Sequence, residues 1–383
     1  MTDSSSHAPH VVLFGTADLG NARTRILLEG LERAGCTVSY CHRDIWAGGP
    51  DRSRPGKMAL LRMGLRWLWA MLVLSARYLT LPKHDLVLVS YPGHADIWFA
   101  RAVTLLRRKP LVWDAFISAF DTVVGDRKMV TAKSLMGRLA FVLDRIACRF
   151  SDLVLLDTGA HADYFARTFA VRREKVVDVP VGAEDNFHAF AHNAPAPGPR
   201  ANFSVLFYGK FIPLHGISTI LEASRLLAQV PDIHITLVGD GQMAGETADW
   251  IERNQPANLS WQRWVPYNEL PGFIARFHVG LGIFSCGDKA GRVIPNKVYQ
   301  MLACGLPVIT RTSAPMEALA ASGRDGIVTV PAGDAPALAA AIENMRRRWL
   351  EGEQPEVPEA LHVGPTEVGR AARAALSGLM KQA

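Results

Sequence analysis

The stretch with the clearest chemical content is residues 279–310, which predict a strand, a polar loop, a helix and a second strand. VGLGIF (279–284) is apolar and too short for a helix, as expected of a buried strand. From Asn296, apolar residues recur at helical spacing, with Asn296 as the expected N-cap and Gly305 as the stop. The free backbone N–H groups at such a helix start attract anions, phosphate above all. The sequence therefore predicts an anion site near residues 291–297.

Alternating strands and helices are also predicted in the rest of the chain, and they must position residues 279–310. Residues 10–42 predict a strand, a loop, a helix and a strand, which is a βαβ opening. The alternation restarts with a strand at 203–209 and ends with a helix at 335–350. Between the two halves, residues 188–202 are rich in Ala, Pro and Asn and have no apolar period, which predicts a linker. Two α/β domains follow from this pattern.

Length and composition agree with two domains. The chain has 383 residues and is 49% hydrophobic, which is too long for one compact α/β domain and rich enough for two cores. Its five cysteines form no C-x-x-C pair and no metal-like cluster with His. An odd number of cysteines, together with no signal peptide in the sequence, predicts a reducing cytosol.

Positive charge is concentrated in the first half. Residues 1–200 hold 26 Lys and Arg against 19 Asp and Glu, whereas residues 201–383 hold 16 against 17. A basic half is typical of proteins that face nucleic acid, a membrane surface or anionic substrates. No zinc-finger, RRM or helix-turn-helix signature is present, so nucleic acid is not favoured.

Residues 52–81 combine a strongly apolar segment with a cationic flank. The apolar run WLWAMLVLSA (67–76) is ten residues long, well below the about 20 needed to cross a bilayer, which predicts no transmembrane span. Tryptophans beside arginines are typical of a helix lying in a membrane interface with its cations on lipid headgroups. The alternative is a buried core helix whose arginines extend to solvent.

Polar residues follow two predicted parallel strands in the first half. His94 follows the strand at 86–90, and Asp114 follows the strand at 110–113. The carboxyl ends of parallel strands are where sites of α/β proteins form, so both residues are candidates for polar contacts or base chemistry. A His in such a loop can equally stabilise the loop itself. Further along, residues 126–149 predict a long helical region.

Gly15 begins the loop that follows the first predicted strand. This loop either brings backbone amides close to a ligand or forms an ordinary turn. It is not the dinucleotide fingerprint G-x-G-x-x-G, because Gly15 and Gly20 are too far apart. A nicotinamide oxidoreductase is therefore not favoured.

Four segments of the second half, in this order, resemble the C-terminal domain of GT-B-fold retaining glycosyltransferases of the GT4 kind. They are YGKFIPLHGISTILEA, LVGDG, NKVYQMLACGLPVIT and GIVTVPAGDAPALAAAI. The resemblance implies an α/β fold of the GT-B type, with two Rossmann-like domains facing a central cleft that holds a nucleotide-diphosphate sugar. The domains expected are an acceptor domain over 1–187, the linker 188–202, a donor domain over 203–350 and a C-terminal extension over 351–383.

The resemblance also implies which residues contact the donor. Lys210 stands at the family's phosphate-binding cation, where its charge would neutralise the leaving diphosphate, so it joins Asp114 and His94 as a catalytic candidate. His215 stands at a second cation position and would act there only when protonated. The predicted strand 259–265 lies where the family reads the base. The remaining candidates for donor contact are Gly15, Gly209, Gly239, Arg263, Trp264, Arg292, Asn296, Lys297 and Gln300, with core packing as the alternative for Trp264.

Two positions depart from the family pattern. The paired glutamates, spaced E-x7-E, are replaced by Arg292 and Gln300. Gln300 can hydrogen-bond ribose hydroxyls as donor and acceptor. Arg292 cannot replace an acidic contact to the sugar, but it could bind phosphate or a sugar carboxylate. Asp288 is the alternative contact to the sugar.

The resemblance implies a hexosyl- or glycuronosyl-transferase that acts with retention, by a front-face path in which the leaving phosphate helps to deprotonate the acceptor. Enzymes of this fold usually need no metal, and the only small molecule expected is the nucleotide-sugar donor. The partners expected are a glycolipid or polysaccharide acceptor and an anionic membrane surface contacted through 52–81, but no nucleic acid. We expect the protein to be cytoplasmic and peripherally associated with the inner face of the membrane. The alternatives are a non-catalytic nucleotide-sugar-binding partner of another transferase and a sugar-nucleotide 2-epimerase of the same fold.

Overall fold

The computed structural model describes residues 8–45, 57–190, 193, 202–230, 232–323, 325–353 and 355–380. The chain divides into two compact units. The first contains the chain up to Val124, Val130–Pro180 and the chain from Pro365 onwards; the second contains Gly125–Met129 and Val181–Gly364. This division differs from the domain boundaries expected from the sequence, because residues 181–187 group with the second unit and the C-terminal segment groups with the first.

Six parallel strands form the sheet of the first unit. Short apolar runs such as LVLV and LVLL are buried along their whole length, as strands covered on both faces must be. The sheet order is β2-β1-β3-β4-β5-β6, so the direction of strand addition reverses between β1 and β3. The strands are β1 His10–Gly15, β2 Thr37–His42, β3 Leu86–Val89, β4 Leu111–Asp114, β5 Leu153–Leu156 and β6 Val176–Asp178.

Helices join these strands. They are α1 Ala22–Arg33, α2 Lys57–Leu79, α3 Asp96–Arg107, α4 Leu135–Phe150 and α5 Gly159–Phe169. The predicted helical region of 126–149 is wrong in its first part, because α4 begins only at Leu135. Ser134 caps α4 by accepting a hydrogen bond from the Gly137 N–H, and Lys128 has a left-handed φ of 48° that no α-helix contains.

The second unit repeats the plan with its own six-stranded parallel sheet. Its order is β12-β11-β10-β7-β8-β9, and the reversal falls between β7 and β10. In open parallel sheets, ligands bind beyond the carboxyl ends of the strands at this reversal. The strands are β7 Phe203–Tyr208, β8 Ile233–Val238, β9 Leu259–Gln262, β10 Val279–Leu281, β11 Val308–Arg311 and β12 Ile327–Val330.

The helices of the second unit are α6 Asp185–His188, α7 Ile217–Leu226, α8 Ala244–Asn254, α9 Leu270–Ile274, α10 Asn296–Ala303, α11 Ala314–Ala320 and α12 Ala335–Leu350. The last helix of the chain, α13 Pro365–Met380, packs against α1 of the first unit. Gly30 and Gly369 meet backbone to backbone at this crossing, and a Cβ on Gly369 would overlap the Gly30 carbonyl oxygen. Larger side chains would force the two helices apart.

Each unit has a separate apolar core beneath its sheet. The predicted α/β class is confirmed by the two parallel sheets with their flanking helices. Among the residues that the structure describes, no helix is both long and apolar enough to cross a bilayer.

Candidate functional site

Two loops meet at the reversal point of the second sheet. Residues 209–216 leave β7, and residues 282–295 leave β10 and lead into α10. They are joined by a hydrogen bond of 3.0 Å from the Phe284 N–H to the His215 carbonyl oxygen. A Cβ on Gly216 would lie 2.6 Å from the Ser285 nitrogen, so the loops pack backbone to backbone. The structure thus brings the anion site predicted at 291–297 beside the segment that carries Lys210.

The side chain of Lys297 lies where the loops after β7 and β10 meet. It is the second residue of α10, and only 6% of it is exposed. Its ammonium nitrogen, Nζ, lies 3.9 Å from the centre of the Phe207 ring and has no hydrogen-bond partner among the described residues. Burial lowers the pKa of Lys297 well below the ordinary value of 10.5. A buried donor of this kind is costly unless a ligand acceptor meets it.

Gly209 makes room for this amine. Its φ is 137°, and a Cβ would lie 2.9 Å from the Lys297 Nζ and 3.2 Å from the His215 ring. Gly239, directly after β8, packs against Gly209, since a Cβ there would overlap the Gly209 carbonyl oxygen. Glycine at both predicted positions therefore allows three segments to converge on one point.

His215 and Lys210 lie next to each other in the loop after β7. The Nδ1 of His215 donates to the Lys210 carbonyl oxygen, while the Lys210 side chain is exposed. Burial and the charge of Lys297 lower the pKa of His215 well below 6.5. The neutral imidazole is therefore favoured in the ligand-free site, and the role of His215 as a second cation stays a prediction.

Gln300, one turn along α10, belongs to a polar network that runs from the buried Tyr208 to the exposed Tyr267. Its side-chain oxygen accepts a hydrogen bond of 2.9 Å from the Tyr208 hydroxyl. Its amide nitrogen donates to the Tyr267 hydroxyl at 3.0 Å and lies 3.5 Å from a carboxylate oxygen of Glu184. Tyr267 in turn donates to the other oxygen of Glu184 at 2.7 Å. A carboxylate thus lies beside the position where the family pattern has a glutamate.

The start of α10 differs in one detail from the sequence prediction. Pro295 is the N-cap and Asn296 is the first helical residue, so the predicted Asn296 cap is wrong. No side chain caps this end, because proline supplies the fixed φ of a helix start but no side-chain acceptor. Arg292 is half-buried directly after the short turn Lys289–Gly291, and Asp288 just before that turn is exposed.

Arg263 and Trp264 follow β9 at the same edge of the sheet. Arg263 pairs with Asp240 at 2.7 Å and lies over the Trp261 ring at 5.2 Å. The Arg263 guanidinium and the Gly241 N–H lower the pKa of Asp240. Trp264 is 73% exposed, so the core-packing alternative does not apply to it. An exposed indole offers a surface on which a planar base can stack.

Asp114 and Arg23 form a buried ion pair in the first unit. Arg23 donates from Nε and Nη2 to one oxygen of Asp114, at 3.1 and 3.0 Å. The other oxygen of Asp114 accepts from the Ser90 hydroxyl at 3.0 Å, and Nη1 of Arg23 donates to the carbonyls of Val179 and Pro180. Both side chains of the ion pair are fully buried. These contacts tie α1 to β3, β4 and the chain beyond β6.

His94 is enclosed in the same unit. Its Nδ1 contacts the Pro92 carbonyl, its Nε2 lies 2.9 Å from the Ile117 carbonyl, and Asp144 lies 3.3 Å from Nε2. Burial opposes the charged form, but Asp144 and the two carbonyls outweigh it and raise the pKa of His94 above 6.5. Both ring nitrogens face acceptors within the protein, which favours the doubly protonated ring. The catalytic assignments of His94 and Asp114 gain no support here and stay predictions.

Gly15 lies against Asp96 at the end of β1. A Cβ on Gly15 would overlap a carboxylate oxygen of Asp96, which also accepts from the Thr16 N–H at 2.5 Å and the Thr16 hydroxyl at 2.9 Å. The Thr16 amide therefore has an acceptor within the protein. A ligand contact at Gly15 stays a prediction.

Several residues of the second-unit site were not predicted from the sequence. Phe207 and Tyr208 end β7, and Tyr267 and Glu184 complete the network around Gln300. The position of Phe207 and Tyr208 directly before Gly209 was a signal that could have found them. Glu184 lies 116 residues from Gln300 in sequence, and no local pattern connects the two.

Comparison with known proteins agrees with this geometry. Residues 202–347 match the sequence profile of the family described as Glycosyl transferases group 1. These residues form a glycosyltransferase group 1 domain. The matched range contains the loops after β7 and β10, Lys297 and Gln300. The family predicted from the sequence motifs is confirmed for this domain.

Solved structures extend the likeness to the whole glycosyltransferase fold. Anabaena Alr3699/HepE in complex with UDP-glucose has a TM-score of 0.63 and 17% identity, covering 97% of this chain and 100% of that chain. Sucrose-phosphate synthase from Thermosynechococcus elongatus has a TM-score of 0.63 and 16% identity, covering 98% and 97%. Likeness at such identities concerns the fold, and it confirms the predicted GT-B architecture of two Rossmann-like domains.

One curated relative matches part of this sequence. Chitobiosyldiphosphodolichol beta-mannosyltransferase of Yarrowia lipolytica is 23% identical over 122 residues, which is 30% of this chain. The match spans 26% of that relative's length.

Proposed function

We propose that this protein transfers a sugar from a nucleotide-diphosphate sugar to an acceptor hydroxyl. The observation that carries the proposal is the buried Lys297 amine, which has no partner among the described residues and lies at the start of α10. An amine and uncapped backbone N–H groups at one point form a site for a diphosphate. Because the surrounding residues match the group 1 glycosyltransferase family, we infer that the diphosphate belongs to a nucleotide sugar. The neighbour crystallised with UDP-glucose supports the same donor class.

The chemistry assigned to this site is charge stabilisation. The bond between the anomeric carbon and the diphosphate oxygen breaks, and the acceptor oxygen bonds to that carbon. Negative charge grows on the leaving diphosphate, where Lys297, Lys210 and the amides of α10 would neutralise it. We assign the acceptor proton to the leaving phosphate, with retention at the anomeric carbon and no role for a bound metal. The protein then mainly orients the two substrates.

The polar surroundings of this site suit a nucleoside. The exposed ring of Trp264, which directly follows Arg263 in the chain, offers a stacking surface for the base. We assign the ribose to the neighbourhood of Gln300, where Glu184 supplies a carboxylate close to the position of the family's missing glutamate. Arg292 remains a candidate for a phosphate or for a sugar carboxylate.

The acceptor that we propose is a glycolipid or a polysaccharide at the inner, cytoplasmic face of a membrane. Helix α2 supports this assignment, since it is 23 residues long, contains no acidic residue and exposes Trp69 and five leucines on the side opposite its buried residues. A helix of this composition is typical of peripheral membrane proteins.

One observation favours a second candidate, a non-catalytic nucleotide-sugar-binding partner of another transferase. The two carboxylates of the family pattern are replaced by Arg292 and Gln300, and a binding protein needs no catalytic contact to the sugar. Such a protein would bind the donor without turnover. A 2-epimerase of the same fold would instead change the sugar without any acceptor.

The test begins with the melting temperature of the full chain against a panel of UDP- and GDP-sugars, because a ligand of the folded state raises it. The donor found in this way is then incubated with the protein and cell lipids, and the products are identified by NMR. Sugar on an acceptor with release of nucleoside diphosphate supports the proposal. Binding without turnover supports the partner protein, an epimerised nucleotide sugar supports the epimerase, and no binding to any donor overturns the proposal.

A further inference from the structure

Helices α2, α3 and α4 lie side by side in the first unit. Trp67 of α2 contacts Phe99 of α3 with ring centres 5.7 Å apart, and Trp98 of α3 contacts Phe150 at the end of α4 at 6.2 Å. The Trp67 indole also donates to Asp96 of α3 at 2.7 Å. The three helices therefore form one continuous layer.

The inner side of this layer belongs to the core of the unit. Met71 and Leu74 of α2, Ala100 of α3 and Ala147 of α4 are fully or almost fully buried in a single apolar cluster with strands β1 and β3. Because all three helices bury their inner faces in the same cluster, their opposite faces point outwards together.

The outer side of the layer is also apolar, although packing against the core explains only the apolar inner side. Leu106 is 73% exposed and Leu135 is 76% exposed. A set of large apolar side chains this size on one layer is typical of a surface that contacts something other than water. Its members are Leu61, Leu65, Leu68, Trp69 and Leu72 of α2, Trp98, Leu105 and Leu106 of α3, and Leu135, Met136, Leu139 and Val142 of α4.

All exposed charge on the three helices is positive. Their only acidic residues are Asp96 and Asp144, and both are buried. Asp96 accepts hydrogen bonds from Thr16 and Trp67, and Asp144 accepts one from Ser118 at 2.6 Å. The exposed cations of the layer are Arg62, Arg66 and Arg77 of α2 and Arg138, Arg145 and Arg149 of α4.

We propose that the outer face of α2, α3 and α4 is a docking surface for anionic lipid bilayers. Apolar side chains enter the boundary between headgroups and acyl chains, while the arginines pair with lipid phosphates. The inference deepens the membrane part of the proposed function and extends the contact from α2 to all three helices. It rests on that part alone, since docking does not require sugar transfer.

A second copy of this chain is a poorer occupant. In a two-fold symmetric dimer the same surface meets itself. The arginines of one copy would then face arginines of the other, with no exposed carboxylate on these helices to pair with them. An anionic bilayer supplies the missing negative charge.

Vesicle flotation of the full chain tests the surface. The probes are vesicles of phosphatidylcholine alone and of phosphatidylcholine mixed with phosphatidylglycerol. One variant pair removes exposed apolar area from α3 and α4, Leu106→Gln with Leu135→Gln, and its matched control is Leu226→Gln with Leu350→Gln in the second unit. A second pair removes charge, Arg138→Gln with Arg145→Gln, and its control is Arg253→Gln with Arg347→Gln.

We expect the chain to float with the anionic vesicles, and each test pair to weaken binding about tenfold or more while the controls do not. Circular dichroism melting of every variant confirms folding.

Absence of vesicle binding overturns the proposal. Binding that survives both test pairs also overturns it, because the contact then lies elsewhere or on α2 alone. A dimer seen by light scattering that the test pairs dissociate, without vesicle binding, assigns the face to a second copy. A chain that floats but transfers no sugar leaves docking intact and contradicts only the transferase proposal.

Discussion

The Nζ of Lys297 lies 3.9 Å above the ring of Phe207, with the backbone of Gly209 beside it. The ring face gives the amine a weak electrostatic partner, but it accepts no ordinary hydrogen bond. Burial keeps the pKa of Lys297 well below 10.5. An arriving diphosphate would favour the protonated form, so donor binding takes up a proton.

Replacing Lys297 should change the free energy of unfolding and the affinity for nucleotide in opposite directions. Lys297→Met keeps the shape of the side chain but removes a buried, unsatisfied donor, so we expect the free energy of unfolding to rise by about 1–3 kcal/mol without ligand. The same change removes a hydrogen bond to a charged phosphate, so affinity for the nucleotide should fall roughly 10- to 100-fold. Chemical denaturation and calorimetric titration measure the two effects. Lys83→Met, at an exposed lysine, is the control and should change neither; a destabilised Lys297→Met with normal affinity refutes this account.

The affinity for nucleotide should also depend on pH. The folded, empty protein has a lowered pKa at Lys297, so between that pKa and 10.5 it holds fewer protons than the unfolded chain. Its stability without ligand therefore rises with pH in this window, whereas binding, which needs the proton, weakens. We expect affinity for UDP or GDP to fall as pH rises through the lowered pKa of Lys297. Proton uptake, measured by titration in buffers of different ionisation enthalpy, should disappear in Lys297→Met; uptake that persists there would place the titrating group elsewhere.

Glu184 lies close enough to Gln300 that a carboxylate at position 300 should be unfavourable. Gln300→Glu would place a second carboxylate near the Glu184 carboxylate, which now lies 3.5 Å from the Gln300 amide. We expect a loss of about 1–2 kcal/mol in the free energy of unfolding at neutral pH, which diminishes as either carboxylate is protonated in acid. The double variant Gln300→Glu with Glu184→Gln exchanges amide and carboxylate and should recover most of it. A double variant as unstable as the single one contradicts the pairing.

The pair of Arg23 and Asp114 should matter for the stability of the first unit. Asp114→Ala leaves a fully buried guanidinium without its carboxylate, which should cost about 3–5 kcal/mol. Asp163→Ala removes the partner of Arg173 in an exposed pair of the same unit, and should cost at most about 1 kcal/mol. Urea denaturation compares them. An Asp114→Asn variant that keeps full stability yet loses sugar transfer would favour the catalytic prediction instead.

His94 gives the first unit a pH dependence of known sign. Its pKa is raised in the folded protein, so its stabilising contribution is fully present below 6.5 and is lost as pH rises through the folded value. The difference in unfolding free energy between the chain and His94→Gln should therefore shrink as pH increases from acid to alkaline. A difference that grows with pH would show that His94 is neutral in the fold.

Much of the fold could be predicted from the sequence because parallel strands are continuous apolar runs separated by glycine-bounded loops. The anion site at 291–297 followed from local features, namely a buried strand, a small-residue loop and a helix start. Asn296 was misassigned as the cap because proline at 295 fixes the helix start without a side-chain acceptor. Helix α4 begins after the predicted residue 126. Lys128 has a left-handed backbone conformation, which a lysine in the sequence does not predict.

The partners of the site residues could not be predicted in the same way. Asp114 meets Arg23 across 91 residues, and Gln300 meets Glu184 across 116. Such pairs depend on how strands order themselves in a sheet, and one sequence carries no signal of them. Position at a strand end predicted that Asp114 and His94 would be polar neighbours of the sheet edge. It could not show that their hydrogen-bonding groups are used within the protein.

The central claim is that the Lys297 site holds the diphosphate of a sugar donor during transfer. Its most direct test is release of nucleoside diphosphate from UDP- and GDP-sugars in the presence of cell lipids, measured for the chain, Lys297→Met and Lys83→Met. We predict release from one donor by the chain and by Lys83→Met, and a loss of at least about tenfold in Lys297→Met. Equal release by the chain and Lys297→Met, or none from any donor, would contradict it.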